Sequence, residues 1–157
     1  MEKVLFICVH NSARSQMAEA YLHHFAGDRL RVASAGFEPT QINQLVIETM
    51  HEDGIDLSGK KTQSVFELFK NGAMFTHVIT VCDDSQESRC PVYPGLTHRL
   101  HLPFPDPAQV TGTDEEQLQA VREIRDAIKT AIKEFADWLD SGAQNTLGDA
   151  WQRLPRG

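Results

Sequence analysis

A chain of 157 residues, 41% hydrophobic and 24% charged, has the make-up of one folded domain with a sizeable core, which excludes a disordered or fibrous chain. No apolar run approaches the roughly 20 residues of a membrane span, and the start lacks a secretion-signal pattern, so a cytoplasmic location is expected. A net charge of -7 argues against nucleic acid or an anionic membrane as partner, although a local site can oppose the global charge.

Residues 4–9 form a short, continuous apolar run that predicts a buried strand. Residues 15–25 carry Met17, Ala18, Tyr21, Leu22 and Phe25 at helical spacing, with Gly27 to end the helix. A second strand is expected over 30–34, stopped by Gly36. Asn43 is placed to cap a helix bearing Leu45, Val46, Ile47 and Met50, and Ser64 to cap a shorter one through Val65, Leu68 and Phe69. Residues 77–82, HVITVC, read as a third strand, 83–94 as a polar irregular stretch, 98–102 as a weak fourth strand and 103–112 as a proline-rich loop. Residues 114–138 read as a long amphipathic helix with Val121, Ile124, Ile128, Ile132 and Phe135 on one face. Such alternation predicts an α/β fold: a doubly wound, four-stranded parallel sheet in the order 2-1-3-4, with helices on both faces. Residues 1–140 form the expected single domain and 141–157 a C-terminal extension or tail, with Trp138 and Trp151 as core or tail anchors. Ligands of such sheets bind beyond the carboxyl ends of the strands. Cys8 and Cys82 both stand at such ends.

The chemistry concentrates in Cys8-Val9-His10-Asn11-Ser12-Ala13-Arg14-Ser15. Cysteine at the loop entry supplies a soft nucleophile. The backbone N–H groups of Val9, His10, Asn11, Ser12, Ala13 and Arg14 can curl into a nest around a tetrahedral oxyanion, backed by the positive end of the following helix. Arg14 adds a planar fork of donors for two oxygens. Ser15 can donate to the thiolate, and Asn11 tolerates the left-handed backbone that a tight loop often requires. His10 reads as an exposed loop residue. Considered alone, Asp106 in the run Pro103-Phe104-Pro105-Asp106-Pro107 is a turn residue.

This Cys8-x5-Arg14-Ser15 loop resembles the catalytic loop of low-molecular-weight protein tyrosine phosphatases, and the longer string HNSARSQMAEA resembles their relatives, the arsenate reductases, more closely. Further matches are Ser34-Ala35-Gly36, Gly54-Ile55-Asp56-Leu57-Ser58-Gly59, Val81-Cys82 and Asp106-Pro107. The resemblance implies the same doubly wound fold and makes Asp106 the general acid that protonates the leaving oxygen. Both activities begin with attack by Cys8 on an oxyanion. A phosphatase then lets water attack the cysteinyl intermediate, whereas a reductase needs further thiols.

Two features favour the reductase. The aromatic residue that usually follows Asp-Pro in the phosphatases is replaced by Ala108 and Gln109, and Cys82 and Cys90 are present. Neighbouring strands lie about 4.8 Å apart and a disulfide needs Cα atoms about 4.4–6.8 Å apart, so Cys82 can approach Cys8 if the first and third strands adjoin. Cys90, eight residues further on, lies roughly 12 Å from Cys82 along a helix, so the polar run between them must fold back or unwind for the two to meet. The resemblance to thioredoxin-coupled arsenate reductases implies a relay. Cys8 forms an adduct with arsenate. Cys82 attacks Cys8 and releases arsenite, Cys90 attacks Cys82, and thioredoxin reduces the Cys82–Cys90 disulfide. The interval between the last two cysteines is one residue longer than the family's usual pattern. Some members hold a potassium ion beside the loop. Asn11, Glu19 and Ser34 match contributors to that site, without an evident fourth acidic position near Ser64, and no cofactor is expected to be required. Two competing readings are plain phosphatase action on phosphomonoesters and a non-enzymatic zinc module built from Cys82, Cys90, His98 and His101. The last two of these would face opposite sides of a strand.

Overall fold

The computed structural model describes residues 1–82, 98–142, 147 and 151–154; the polar stretch from Asp83 and the thiol of Cys90 lie outside the described residues. Four parallel strands run in the expected order: β2 (Arg31–Gly36), β1 (Lys3–Cys8), β3 (His77–Thr80) and β4 (His98–His101). β1 lies between two neighbours and two layers, which is why Val4 to Cys8 are buried without alternation. Its even residues Val4, Phe6 and Cys8 join one core with Met17, Tyr21 and Leu22 of α1 (Arg14–Ala26), Val46 and Met50 of α2 (Gln44–Glu52) and the apolar stripe of α4 (Asp114–Asp140). Its odd residues Leu5 and Ile7 join a smaller core with Val78, Cys82 and Val65, the first residue of α3 (Val65–Lys70).

The helix boundaries follow local chemistry. The Asn43 side chain accepts from the N–H groups of Leu45 and Val46, and that of Ser64 from Phe66 and Glu67, as expected of capping residues. Thr113 and Glu116 form a reciprocal capping box at the start of α4. Gly27 takes a positive φ of 57° just past the end of α1. Among the described residues no helix is long and apolar enough to cross a membrane.

The sheet also has a strand that the sequence reading does not anticipate. β5 (Gln152–Leu154), within the stretch read as an extension or tail, pairs antiparallel with β4 and makes the sheet five-stranded. Three residues of mixed polarity carry no periodicity, so the open edge of β4, and not local pattern, selects this strand. The residue before it, Trp151, is buried and stacks on Phe135 at a centroid distance of 5.2 Å, with Trp138 stacked on the same ring at 5.7 Å. The extension is thereby fastened to α4.

At the amino-terminal edge of the sheet, His77 packs edge-on against Phe135 and Trp138 and stacks on His98. Burial holds its pKa below the ordinary histidine value, with His98 acting in the same direction, although the carboxylate of Glu2 lies 3.2 Å away and pulls the other way. Between pH 6.5 and the lowered folded value the unfolded chain therefore binds a proton that the folded chain does not. Stability is present above pH 6.5 and is lost as pH falls through that window. Urea unfolding at a series of pH values should show this loss, and His77→Gln should flatten it. In the same assay Trp151→Ala should cost about 3 kcal/mol, because a buried aromatic leaves a cavity on Phe135.

Candidate active site

The loop between β1 and α1 is built by turning its carbonyl groups outward. Val9 O accepts from Glu38 N at 2.8 Å, His10 O from Thr40 N at 3.1 Å and Ser12 O from Asn43 N at 2.9 Å. With these three carbonyls engaged on the segment between β2 and α2, the opposite edge of the loop is the amide edge. Asn11 makes the turn possible with φ 52°, and it is the one non-glycine with positive φ among the described residues. Its side chain is fully buried and holds that conformation through four bonds. Nδ2 donates to Ser15 Oγ at 2.8 Å and Ser34 Oγ at 3.0 Å, and Oδ1 accepts from Gln63 N at 3.0 Å and Gln16 Nε2 at 3.1 Å.

Cys8 sits at the mouth of this loop, 2% exposed, with its Sγ 2.9 Å from Ser15 Oγ. Because Asn11 already donates to that hydroxyl oxygen, the hydroxyl proton of Ser15 is directed to the sulfur, where it stabilises a thiolate. α1 begins without a side-chain cap and without an acidic residue in its first turn. Its leading N–H groups and positive dipole end are therefore offered to an anion instead of a capping residue.

Arg14 is 3% exposed, donates from Nη1 to Phe104 O at 3.1 Å, and has Nη2 3.7 Å from Asp106 Oδ2. Its Nε is buried without a hydrogen-bond partner among the described residues. A buried donor left unmade costs free energy, and an oxyanion in the loop would satisfy it. Asp106 itself is fixed by its other oxygen, which accepts from Ala108 N at 2.9 Å at the start of a short 3-10 turn over Pro107–Gln109. The proline-rich loop therefore places a carboxyl group on the guanidinium that closes the site.

Cys82 also stands at the carboxyl edge. Ile7 pairs with Thr80 across β1 and β3, and Val81 N donates to Ile7 O at 2.9 Å, so Cys8 ends one strand and Cys82 lies two residues past the end of its in-register neighbour. Cys82 is fully buried, in the smaller core on the face opposite to that of Cys8, and both are reduced thiols. Cys90 falls outside the described residues. Of the two histidines considered for zinc, His98 stacks on His77 while His101 is buried with Nδ1 2.6 Å from Thr80 Oγ1; strand alternation puts them on opposite faces. His10 Nδ1 donates to Glu38 O at 3.0 Å, which ties it to the segment supporting the loop.

The residues matched to a potassium site do not fit the ion as they are arranged. Glu19 pairs with the ammonium of Lys60, and both lone pairs of Asn11 Oδ1 are taken.

Two further residues support the loop. Gln63 donates its N–H to Asn11, its side-chain amide to Ser34 O at 2.9 Å, and its carbonyl accepts from Gly36 N at 2.9 Å. A Cβ on Gly36 would stand 2.7 Å from both Asn11 N and Val9 O, so the loop lies directly on this glycine. Close backbone approach of this kind is the one available sequence signal, and only for the glycine.

The sequence model described as low molecular weight phosphotyrosine protein phosphatase matches residues 3–145. An arsenate reductase of Shouchella clausii is 38% identical over 134 residues, covering 85% of this chain and 94% of that protein. Among solved structures, an arsenate reductase from Archaeoglobus fulgidus aligns with a TM-score of 0.68 at 30% identity, over 85% of this chain and 98% of that one. A thioredoxin-dependent arsenate reductase from Corynebacterium glutamicum aligns with a TM-score of 0.65 at 32% identity, over 90% of this chain and 63% of that one. β5 lies beyond the stretch matched by the family model.

Gly36→Ala should leave the fold standing but push the loop out of register. Oxyanion affinity, read as the arsenate concentration that protects Cys8 from alkylation, should weaken by about a hundredfold.

Proposed function

The chain belongs to the low molecular weight phosphotyrosine protein phosphatase family, and on that premise we propose that it reduces arsenate to arsenite with electrons supplied by thioredoxin in the cytoplasm. The observation that carries this reading is the second buried thiol, Cys82, one strand away from a nucleophile already held in an anion loop. Hydrolysis has no use for that thiol. The similarity to proteins named arsenate reductase, one of them thioredoxin-dependent, supports the same choice. So does the absence of an aromatic residue after Asp106-Pro107, where a phosphatase of this type would pack its substrate ring.

Arsenate is a tetrahedral oxyanion that fits the amide edge of the loop, with Arg14 Nε and one Nη donating to two of its oxygens. The Cys8 thiolate attacks arsenic, and Asp106 gives its proton to the departing oxygen, which leaves as water. Cys82 then attacks Cys8 Sγ as its thiolate. The S–S bond forms, the S–As bond breaks, and its electron pair stays on arsenic, which leaves as arsenite. Cys90 attacks Cys82 and frees the Cys8 thiolate. The two thiols of thioredoxin reduce the Cys82–Cys90 disulfide and are oxidised in turn. Cys82 must leave the cluster of Leu5, Ile7, Val65 and Val78 to reach Cys8, so a local rearrangement belongs to the cycle.

Turnover of arsenate with thioredoxin, thioredoxin reductase and NADPH is the direct test, run beside an aryl phosphate. Cys8→Ser should abolish both activities. Cys90→Ser should release one equivalent of arsenite and stop, with a Cys8–Cys82 disulfide recovered by peptide mapping. Arrest of neither Cys82→Ser nor Cys90→Ser would overturn the relay. Arg14→Lys keeps the charge but loses the fork, and kcat/KM should fall roughly a hundredfold. Asp106→Asn should lower kcat with little change in oxyanion affinity.

A further inference from the structure

Glu19 raises an electrostatic difficulty. It lies on α1 one turn beyond Ser15, its side chain is only 11% exposed, and it brings a negative charge close to a loop that must hold an anion. The carboxylate pairs with the ammonium of Lys60. We propose that Lys60 is the built-in counter-cation of the anion loop: its ammonium takes up the Glu19 carboxylate and frees oxyanion binding from dissolved monovalent cations. Lys60 is thus a positioning residue, acting through Glu19 and the loop and not on the substrate.

Three observations carry this beyond an ordinary surface pair. First, the residues matched to a cation site are already engaged within the protein, Asn11 Oδ1 accepting from both Gln63 N and Gln16 Nε2 and the carbonyl of Ser34 accepting from Gln63 Nε2. Second, Lys60 is placed by the backbone, its N–H donating to Leu57 O at 3.1 Å. Third, it begins the strap that supports the loop. The next three residues reach Gln16 through Lys61 O, Thr40 O through the Thr62 hydroxyl, and Asn11, Ser34 and Gly36 through Gln63. One ammonium therefore neutralises Glu19 and anchors the strap to α1. A dissolved ion could do only the first.

The inference rests on the oxyanion-loop half of the proposed function and not on the relay, so its test needs neither turnover nor thioredoxin. The rate of alkylation of Cys8 by iodoacetamide is measured against arsenate concentration, in potassium chloride and in tetramethylammonium chloride of equal ionic strength. The wild type should give the same half-protecting concentration in both salts, within about twofold. Lys60→Ala should need about fivefold more arsenate in tetramethylammonium chloride, because the Glu19 charge is then unopposed, and potassium should restore only a minor part of that loss, since it can screen Glu19 but cannot anchor the strap. Lys60→Arg should behave as wild type. Lys60→Gln keeps much of the reach without the charge and serves as the second variant if the alanine protein does not fold. Potassium-dependent protection in the wild type, or wild-type protection in Lys60→Ala without potassium, would each overturn the proposal. Absence of arsenate protection in the wild type would overturn the loop's proposed role along with it.

Discussion

The left-handed backbone at Asn11 is held by its own side chain, which engages four partners from three parts of the fold: Ser15 and Gln16 in the first turn of α1, Ser34 on β2 and Gln63 before α3. Outside glycine that conformation is sterically costly, and the bonds over-determine it. Once it is fixed, the carbonyls of Val9, His10 and Ser12 face the segment after β2, and the amide edge faces the site. Asn11 also sets the polarity of Ser15, because a hydroxyl that accepts from Asn11 has its proton left for Cys8. A single buried amide thus couples loop shape to nucleophile chemistry.

A net charge of -7 makes this local arrangement necessary. The field of the whole molecule repels an oxyanion, so binding depends on short-range donors in a place that water does not screen. Arg14 is 3% exposed, and its Nε has no partner among the described residues. Its cost in the resting protein would become affinity on binding of the proposed oxyanion. Asp106 stands 3.7 Å from the same guanidinium.

The contiguous parts of this machinery are legible in the sequence because their physics is local. The run from Cys8 to Ser15 shows its nucleophile, its fork of donors and the helix behind them, and the caps at Asn43 and Ser64 sit where their side chains accept from the next turn. The parallel order 2-1-3-4 follows from the alternation of elements. Asp106 is different. Its motif is only a turn before a proline, and its relation to Arg14, 92 positions away in the chain, comes from the resemblance in sequence and from the fold in space. Gln63 and the pairing of Glu19 with Lys60 have no sequence signal, since a lone glutamine and a lone lysine in a loop are ordinary. β5 is illegible for another reason: three residues become a strand when β4 presents an edge to them.

The burial of Cys82 has a consequence for survival under oxidative stress. Thiols are oxidised in proportion to their thiolate character and their access to solvent. A sulfur with no exposed surface, packed among Leu5, Ile7, Val65 and Val78, offers little access. Peroxide in the surrounding medium therefore meets a closed wall at that thiol for as long as the packing around it holds.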